Sequence, residues 1–308
     1  MFQTWNIPRK IKSNVSDLEH YPENKIECSR SGLHRETSGV LTAPLPSEAP
    51  ANGPYPGSSL VLHSQRLIPH SSLTLDICFS PELLPLYDLR GRVAVVVDVL
   101  RATSAIVTAL AQGVTHLVPV SEVAACQAMA AQGYLTAAER DGRQVAGVDL
   151  GNSPFGYLDG VVAVRGRAVA ITTTNGTRAL HLARAADTVV LGAFLNLGAV
   201  AGFLRRQQKD VVVVCAGWKG DFCLEDTLFG GALAQHLAPD FNTTDSDATL
   251  AALDLWQAAR PDVAGYLLKS AHVRRLNSLE AHQDMAFCVR QDVYDVVPVY
   301  SEGKIRIN

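Results

Sequence analysis

Aromatic residues make up only 6% of this 308-residue chain and charged residues 19%, the latter below the usual quarter. Lysines and arginines number 27 against 30 acids, a formal net charge of −3, so there is no basic footprint for nucleic acid. Every apolar run is too short, or too interrupted by glycine and charge, to span a membrane. The opening MFQTWNIPRKIKSN lacks the apolar core of a secretory signal. The six cysteines, Cys28, Cys78, Cys126, Cys215, Cys223 and Cys288, include no C-x-x-C pair and no zinc spacing with histidine. They read as free thiols in a reducing cytoplasm. Several phosphate signatures are also missing. No G-x-x-x-x-G-K-[ST] is present, and no G-x-G-x-x-G follows a strand. Position 100 is Leu100, where an aspartyl-phosphate phosphatase of the haloacid type needs a second Asp after Asp98. Position 221 is Asp221, where a tyrosine-phosphatase loop starting at Cys215 needs Arg.

What is present is apolar material, 47% of the chain and mostly Ala, Val and Leu, ample for a core. Its distribution changes near residue 72. Residues 1–72 hold eight of the 15 prolines, with APLPSEAPANGPYPGSS at 43–59; such a stretch holds neither helix nor central strand and has little to bury. It is expected to be a disordered leader, and residues 73–308 the folded domain. From there strands and helices alternate. RVAVVVDVL (92–100) and DVVVVCAG (210–217) are continuous β-branched runs, as strands buried on both faces require. LTLDICF, HLVPV, YLTAAE, VVAVRGRAVAITTT (161–174) and TVVLGAF supply further strands, and ATSAIVTALAQG, LGAVAGFLRRQ and LEDTLFGGALAQHLA supply helices. The order predicts an α/β fold, a largely parallel sheet with helices on both faces, with two lobes meeting near 185–195.

Ligands of such sheets sit at the carboxyl ends of strands, and four segments there carry polar chemistry. Asp98 ends one strand, where it can hold a hard cation, act as a nucleophile, or cap the next helix; Arg101 can take a phosphate oxygen, and Thr103 and Ser104 open a helix. Glu139, Arg140, Asp149, Asn152 and Ser153 lie in a Gly-rich stretch suited to an ordered loop. Thr174, Asn175, Gly176, Thr177 and Arg178 follow a strand, placing hydroxyls and amides where an oxyanion binds. Cys215 ends a strand, and Glu225 and Asp226 open a helix, where they serve its dipole or hold a divalent cation. His116, His181, His236 and His272 have no Ser or Cys partner at a recognisable spacing and read as core or surface residues.

These segments, in this order, resemble the 2-phosphosulfolactate phosphatases. The matching strings are CFSPELLP (78–85), VVDVLRATS (96–104), AAERDG and GVDLGNSP (137–154), TTTNGTRAL (172–180) and CAGWKGDFCLEDTLFGG (215–231). The resemblance implies a magnesium-dependent acid phosphatase that hydrolyses (R)-2-phospho-3-sulfolactate to 3-sulfolactate and phosphate, a step linked to coenzyme M biosynthesis. A related small anionic phosphate monoester is the broader substrate class, and a non-catalytic anion-binding protein on the same scaffold is the alternative. Candidate magnesium ligands are Asp98, Glu139, Asp149, Glu225 and Asp226. Candidate phosphate-binding groups are Thr103, Arg140, Asn152, Ser153, Thr174, Asn175, Gly176, Thr177 and Arg178. Asp98, Arg101 and Cys215 are the candidate catalytic residues, with direct attack by water preferred to attack by Asp98 or Cys215. A cytoplasmic homodimer is the default expectation.

Overall fold

The computed structural model describes residues 73–276 and 279–308; the leader expected over 1–72 lies outside the described residues. The strands are β1 (Leu75–Cys78), β2 (Val93–Val97), β3 (His116–Pro119), β4 (Leu135–Arg140), β5 (Arg143–Gln144), β6 (Ala168–Thr172), β7 (Thr188–Gly192), β8 (Val211–Cys215), β9 (Pro298–Ser301) and β10 (Lys304–Ile307). The helices are α1 (Ala102–Ala111), α2 (Val123–Ala128), α3 (Gly176–Leu182), α4 (Leu197–Gln207), α5 (Leu224–Leu237), α6 (Asp247–Ala259), α7 (Val263–Leu267), α8 (Ala271–Leu276) and α9 (Leu279–Cys288).

The fold is α/β, a mixed and mostly parallel ten-stranded sheet in the order β1-β8-β2-β7-β9-β10-β3-β6-β4-β5. The valine runs behave as their composition requires. Val93, Val95 and Val97 of β2, with Val211, Val213 and Cys215 of β8, face a core shared with α4, α5 and α6. The alternate residues Ala94, Val96, Val212 and Val214 face a second core with α1 and α3. Burying each valine in this way contributes about 1.5–3 kcal/mol. Helices therefore cover both faces. β7 pairs with β2 on one side and β9 on the other, so the sheet is continuous across 188–192.

Two parallel blocks make up the sheet, β1-β8-β2-β7 and β3-β6-β4. A β9–β10 hairpin joins them through antiparallel pairings on both sides. Three antiparallel steps reverse direction, so in a flat sheet the carboxyl ends of the two blocks would lie at opposite edges. They do not. A β-carbon built on Gly176, just past β6, would lie 2.9 Å from the Asp98 carboxylate, just past β2. Val96 of β2 and Ile171 of β6 also share one core cluster. The sheet must therefore twist and curl enough to turn both sets of carboxyl ends toward each other, the accumulation expected of right-handed strand twist.

Candidate active site

The site forms where those ends meet. Asp98, Arg101, Glu139, Asn152 and Asn175 line one small cavity with His272 and Trp218. Five residues predicted from the sequence, drawn from both blocks, thus come together.

Asp98 is buried. Its Oδ1 accepts from the Ala102 amide at 3.2 Å, relieving one orphan donor at the start of α1. The Thr103 hydroxyl donates to the Asp98 carbonyl at 2.9 Å, so Thr103 fixes the strand-to-helix turn. Burial is the main cause that pushes the Asp98 carboxyl up to about 6; Glu139 and Glu225 add to it, while the Ala102 amide and His272 oppose it.

Glu139 holds the two loops of its block together. Its carboxylate accepts from the Gly142 amide at 2.5 Å and from the Thr174 amide and hydroxyl at 3.3 Å. Asn175 Oδ1 accepts from the Lys219 amide at 3.0 Å. Lys219 and Gly220 both have positive φ, with paired bonds between Trp218 and Asp221 across them, the geometry of a type I′ turn. This turn carries Trp218 against His272, with ring centroids 5.1 Å apart.

Arg101 is almost fully buried. Its guanidinium pairs with the carboxylate of Asp284 from α9 and donates to the Gly142 carbonyl at 2.6 Å. Ser153 donates to the other Asp284 oxygen at 2.5 Å. Arg101 and Asn152 also face an adjoining cleft of about 780 Å³, which Arg143 and Arg275 line as well.

Glu225 and Asp226 have different surroundings although they are neighbours. Asp226 accepts from the Val99 amide at 2.9 Å and the Gly217 amide at 3.0 Å, one per oxygen. It staples the loops after β2 and β8, and burial raises its pKa well above the ordinary value. Glu225 accepts from His272 Nδ1 at 2.5 Å through Oε1, while its buried Oε2 has no hydrogen-bond partner among the described residues. Asn152 Oδ1 is likewise buried and unpaired.

Residues 78–303 match the family described as 2-phosphosulpholactate phosphatase. The chain belongs to the 2-phosphosulfolactate phosphatase family. Three similar proteins carry the name probable 2-phosphosulfolactate phosphatase. One from Synechococcus is 42% identical over 229 residues, spanning 71% of this chain and 93% of the relative. One from Pseudothermotoga lettingae is 38% identical over 231 residues, 75% of this chain and 97% of its own length. One from Caldanaerobacter subterraneus is 37% identical over 223 residues, 71% and 92% respectively.

Other residues singled out within the family strings lie apart from the cavity. Arg140 donates to the Glu139 and Ser121 carbonyls and to the Thr172 hydroxyl, tying β4 to its neighbours. Arg178 pairs with Glu82 at 2.6 Å, both side chains about half exposed. Asp149 accepts from the Thr136 amide and hydroxyl at 2.8 and 2.9 Å. Thr177 bonds with Thr173 at the start of α3. Cys215 lies in the core shared with α5, and burial raises its thiol well above the ordinary value, the opposite of what a thiolate nucleophile needs.

Several residues at the cavity and its cleft were not among the sequence candidates: Trp218, Arg143, Arg275, His272 and Asp284. His272, read as a core or surface residue, lines the cavity and pairs with Glu225; Asp284 anchors Arg101. His272 and Asp284 come from C-terminal helices and meet partners 47 and 183 residues away in the chain, and no local spacing marks either. No helix among the described residues is long and apolar enough to cross a membrane.

Proposed function

We propose that this chain is a magnesium-dependent phosphatase that hydrolyses (R)-2-phospho-3-sulfolactate to 3-sulfolactate and phosphate by direct attack of water. The observation that carries the reading is a set of buried oxygen donors without enough partners. Among the described residues Glu225 Oε2 and Asn152 Oδ1 are unpaired, and Asp98 lies beside them with its carboxyl raised by burial and by Glu139 and Glu225. Unpaired buried carboxylates are costly, and a hard cation with oxygen ligands removes that cost. The donor set fits magnesium, with Asp98, Glu225 and Asn152 as the residues that would hold it. When bound, the ion neutralises phosphoryl oxygens and makes a coordinated water more acidic. Asp226 and Asp149, whose oxygens already accept from amides or hydroxyls, serve as structural anchors in this reading.

The protein's own groups supply the rest. Arg101, held by Asp284 and the Gly142 carbonyl, keeps further N–H donors for the phosphoryl group. His272 is fixed through Nδ1 by Glu225, and among the described residues its Nε2 has no partner. It can give a proton from Nε2 to the departing alkoxide oxygen. Arg143 and Arg275, in the cleft outside the cavity, suit the substrate's carboxylate and sulfonate. Release of phosphate from phosphosulfolactate, phospholactate and phosphoglycolate, with and without EDTA, tests the reading. Magnesium-dependent release is expected, fastest with phosphosulfolactate. Tight binding by calorimetry with no turnover of any of the three would overturn it in favour of a binding protein.

A further inference from the structure

We propose that Cys223, Glu225 and His272 form a site for a thiophilic divalent cation, of which zinc is the type. Cys223 immediately precedes α5, Glu225 lies in its first turn, and His272 comes from α8. A thiol, a carboxylate and an imidazole each offer one donor, and the three donor atoms lie within 4.8 Å of one another. His272 Nδ1 is 2.5 Å from Glu225 Oε1 and 3.9 Å from Cys223 Sγ. Bonds of about 2.0–2.3 Å to a tetrahedral ion place such donors roughly 3.5 Å apart, so His272 Nδ1 and Glu225 Oε1 must part by about 1 Å while Cys223 Sγ moves slightly closer to the ring. All three residues are at least nine-tenths buried, and Glu225 keeps an oxygen with no partner. His272 also lines the Asp98 cavity, which provides an entry path and room for a fourth ligand from water.

Donor chemistry separates this site from a magnesium site. Sulfur and imidazole nitrogen favour zinc or cobalt over magnesium, which prefers oxygen. Zinc binding forms metal–sulfur and metal–Nδ1 bonds; the Cys223 thiol proton goes to solvent, and the Nδ1 proton that His272 gives to Glu225 in the metal-free chain moves to Nε2, so the ring stays neutral. Affinity for zinc therefore rises with pH. The ion would compete for Glu225 with the catalytic cation; this consequence rests on the phosphatase reading, whereas the site itself does not.

The test is titration of the chelator-treated full chain with Co²⁺, following the near-ultraviolet thiolate-to-cobalt absorption, then displacement by Zn²⁺. One equivalent of each metal is expected to bind. Cys223→Ser should lose the band and bind zinc at least about tenfold more weakly, a floor set by the loss of even an outer-shell partner. Cys223→Ala serves if the serine variant fails to fold by circular dichroism. No band in the wild type, or an equal band in the variant, overturns the site. Should the spectra behave as expected while no phosphate ester is turned over, it is the phosphatase reading that has failed.

Discussion

Gly176 and the Asp98 carboxylate are so close that a β-carbon on the glycine would lie 2.9 Å from Oδ2, and equally close to the Ala102 β-carbon. Two strand ends from opposite blocks are in contact, with no room for a methyl group. Gly176→Ala should cost about 1–3 kcal/mol through overpacking and push the start of α3 away from Asp98. A thermal melt and a kcat measurement check this; an alanine variant with wild-type values for both would show that the approach is looser than described.

Asp98→Asn should lower kcat about 10²–10⁴-fold while leaving the far-ultraviolet circular dichroism unchanged. The same variant carries a pH signature in the chelator-treated protein. The Asp98 carboxyl sits at about 6 in the folded chain against an ordinary 3.8. Below pH about 4 it is neutral in both states and costs nothing. Between about 4 and 6 the unfolded chain loses the proton and the folded one keeps it, so wild-type stability falls relative to the variant. Above about 6 the full penalty, on the order of 3 kcal/mol, is present. Denaturant melts from pH 4 to 8 should show this gap opening and then levelling; a gap independent of pH would mean that Asp98 does not titrate there.

Asp284→Ala leaves the buried Arg101 guanidinium unpaired. Loss of one partner from such a pair costs about 3–5 kcal/mol, and kcat should fall because Arg101 loses its anchor. Asp284→Asn keeps an acceptor and should recover part of both. Equal stability of the alanine variant and the wild type would remove the pair from the account.

Arg143→Ala and Arg275→Ala should each raise KM for phosphosulfolactate about tenfold, the equivalent of one charge-assisted contact of ~1.4 kcal/mol, with little change in kcat. Arg178→Ala should change neither by more than about twofold, because its partner is Glu82 at the surface. A larger KM effect from Arg178 than from the other two would reverse the assignment of the anion arms.

Much of the fold was legible because burial leaves a pattern. The runs around Val95 and Val213 could only be strands covered on both sides, and LGAVAGFLRRQ is α4 residue for residue. The middle of the sheet was not legible. DVVPVY reads as an extended end segment, yet β9 pairs Val299 with Val190, more than a hundred residues earlier, and β10 adds only four residues with one fully buried side chain. For the site, strand-end and loop position singled out Asp98, Glu139, Asn152 and Asn175, which the fold brings to one cavity. It could not distinguish Arg101, which reaches the cavity, from Arg140 and Arg178, which are taken up by carbonyls and by Glu82. That difference depends on where each guanidinium finds an acceptor, a matter of tertiary contacts with no trace in spacing.

Among the described residues, the β9–β10 hairpin is the only main-chain ladder between the half carrying Asp98 and the half carrying Glu139. Its residues emerge from the ribosome after those of every other strand. Until they do, a nascent chain holds the strands of both cavity walls without the backbone ladder that joins them, and only side-chain contacts such as Arg101 to the Gly142 carbonyl can hold one wall against the other.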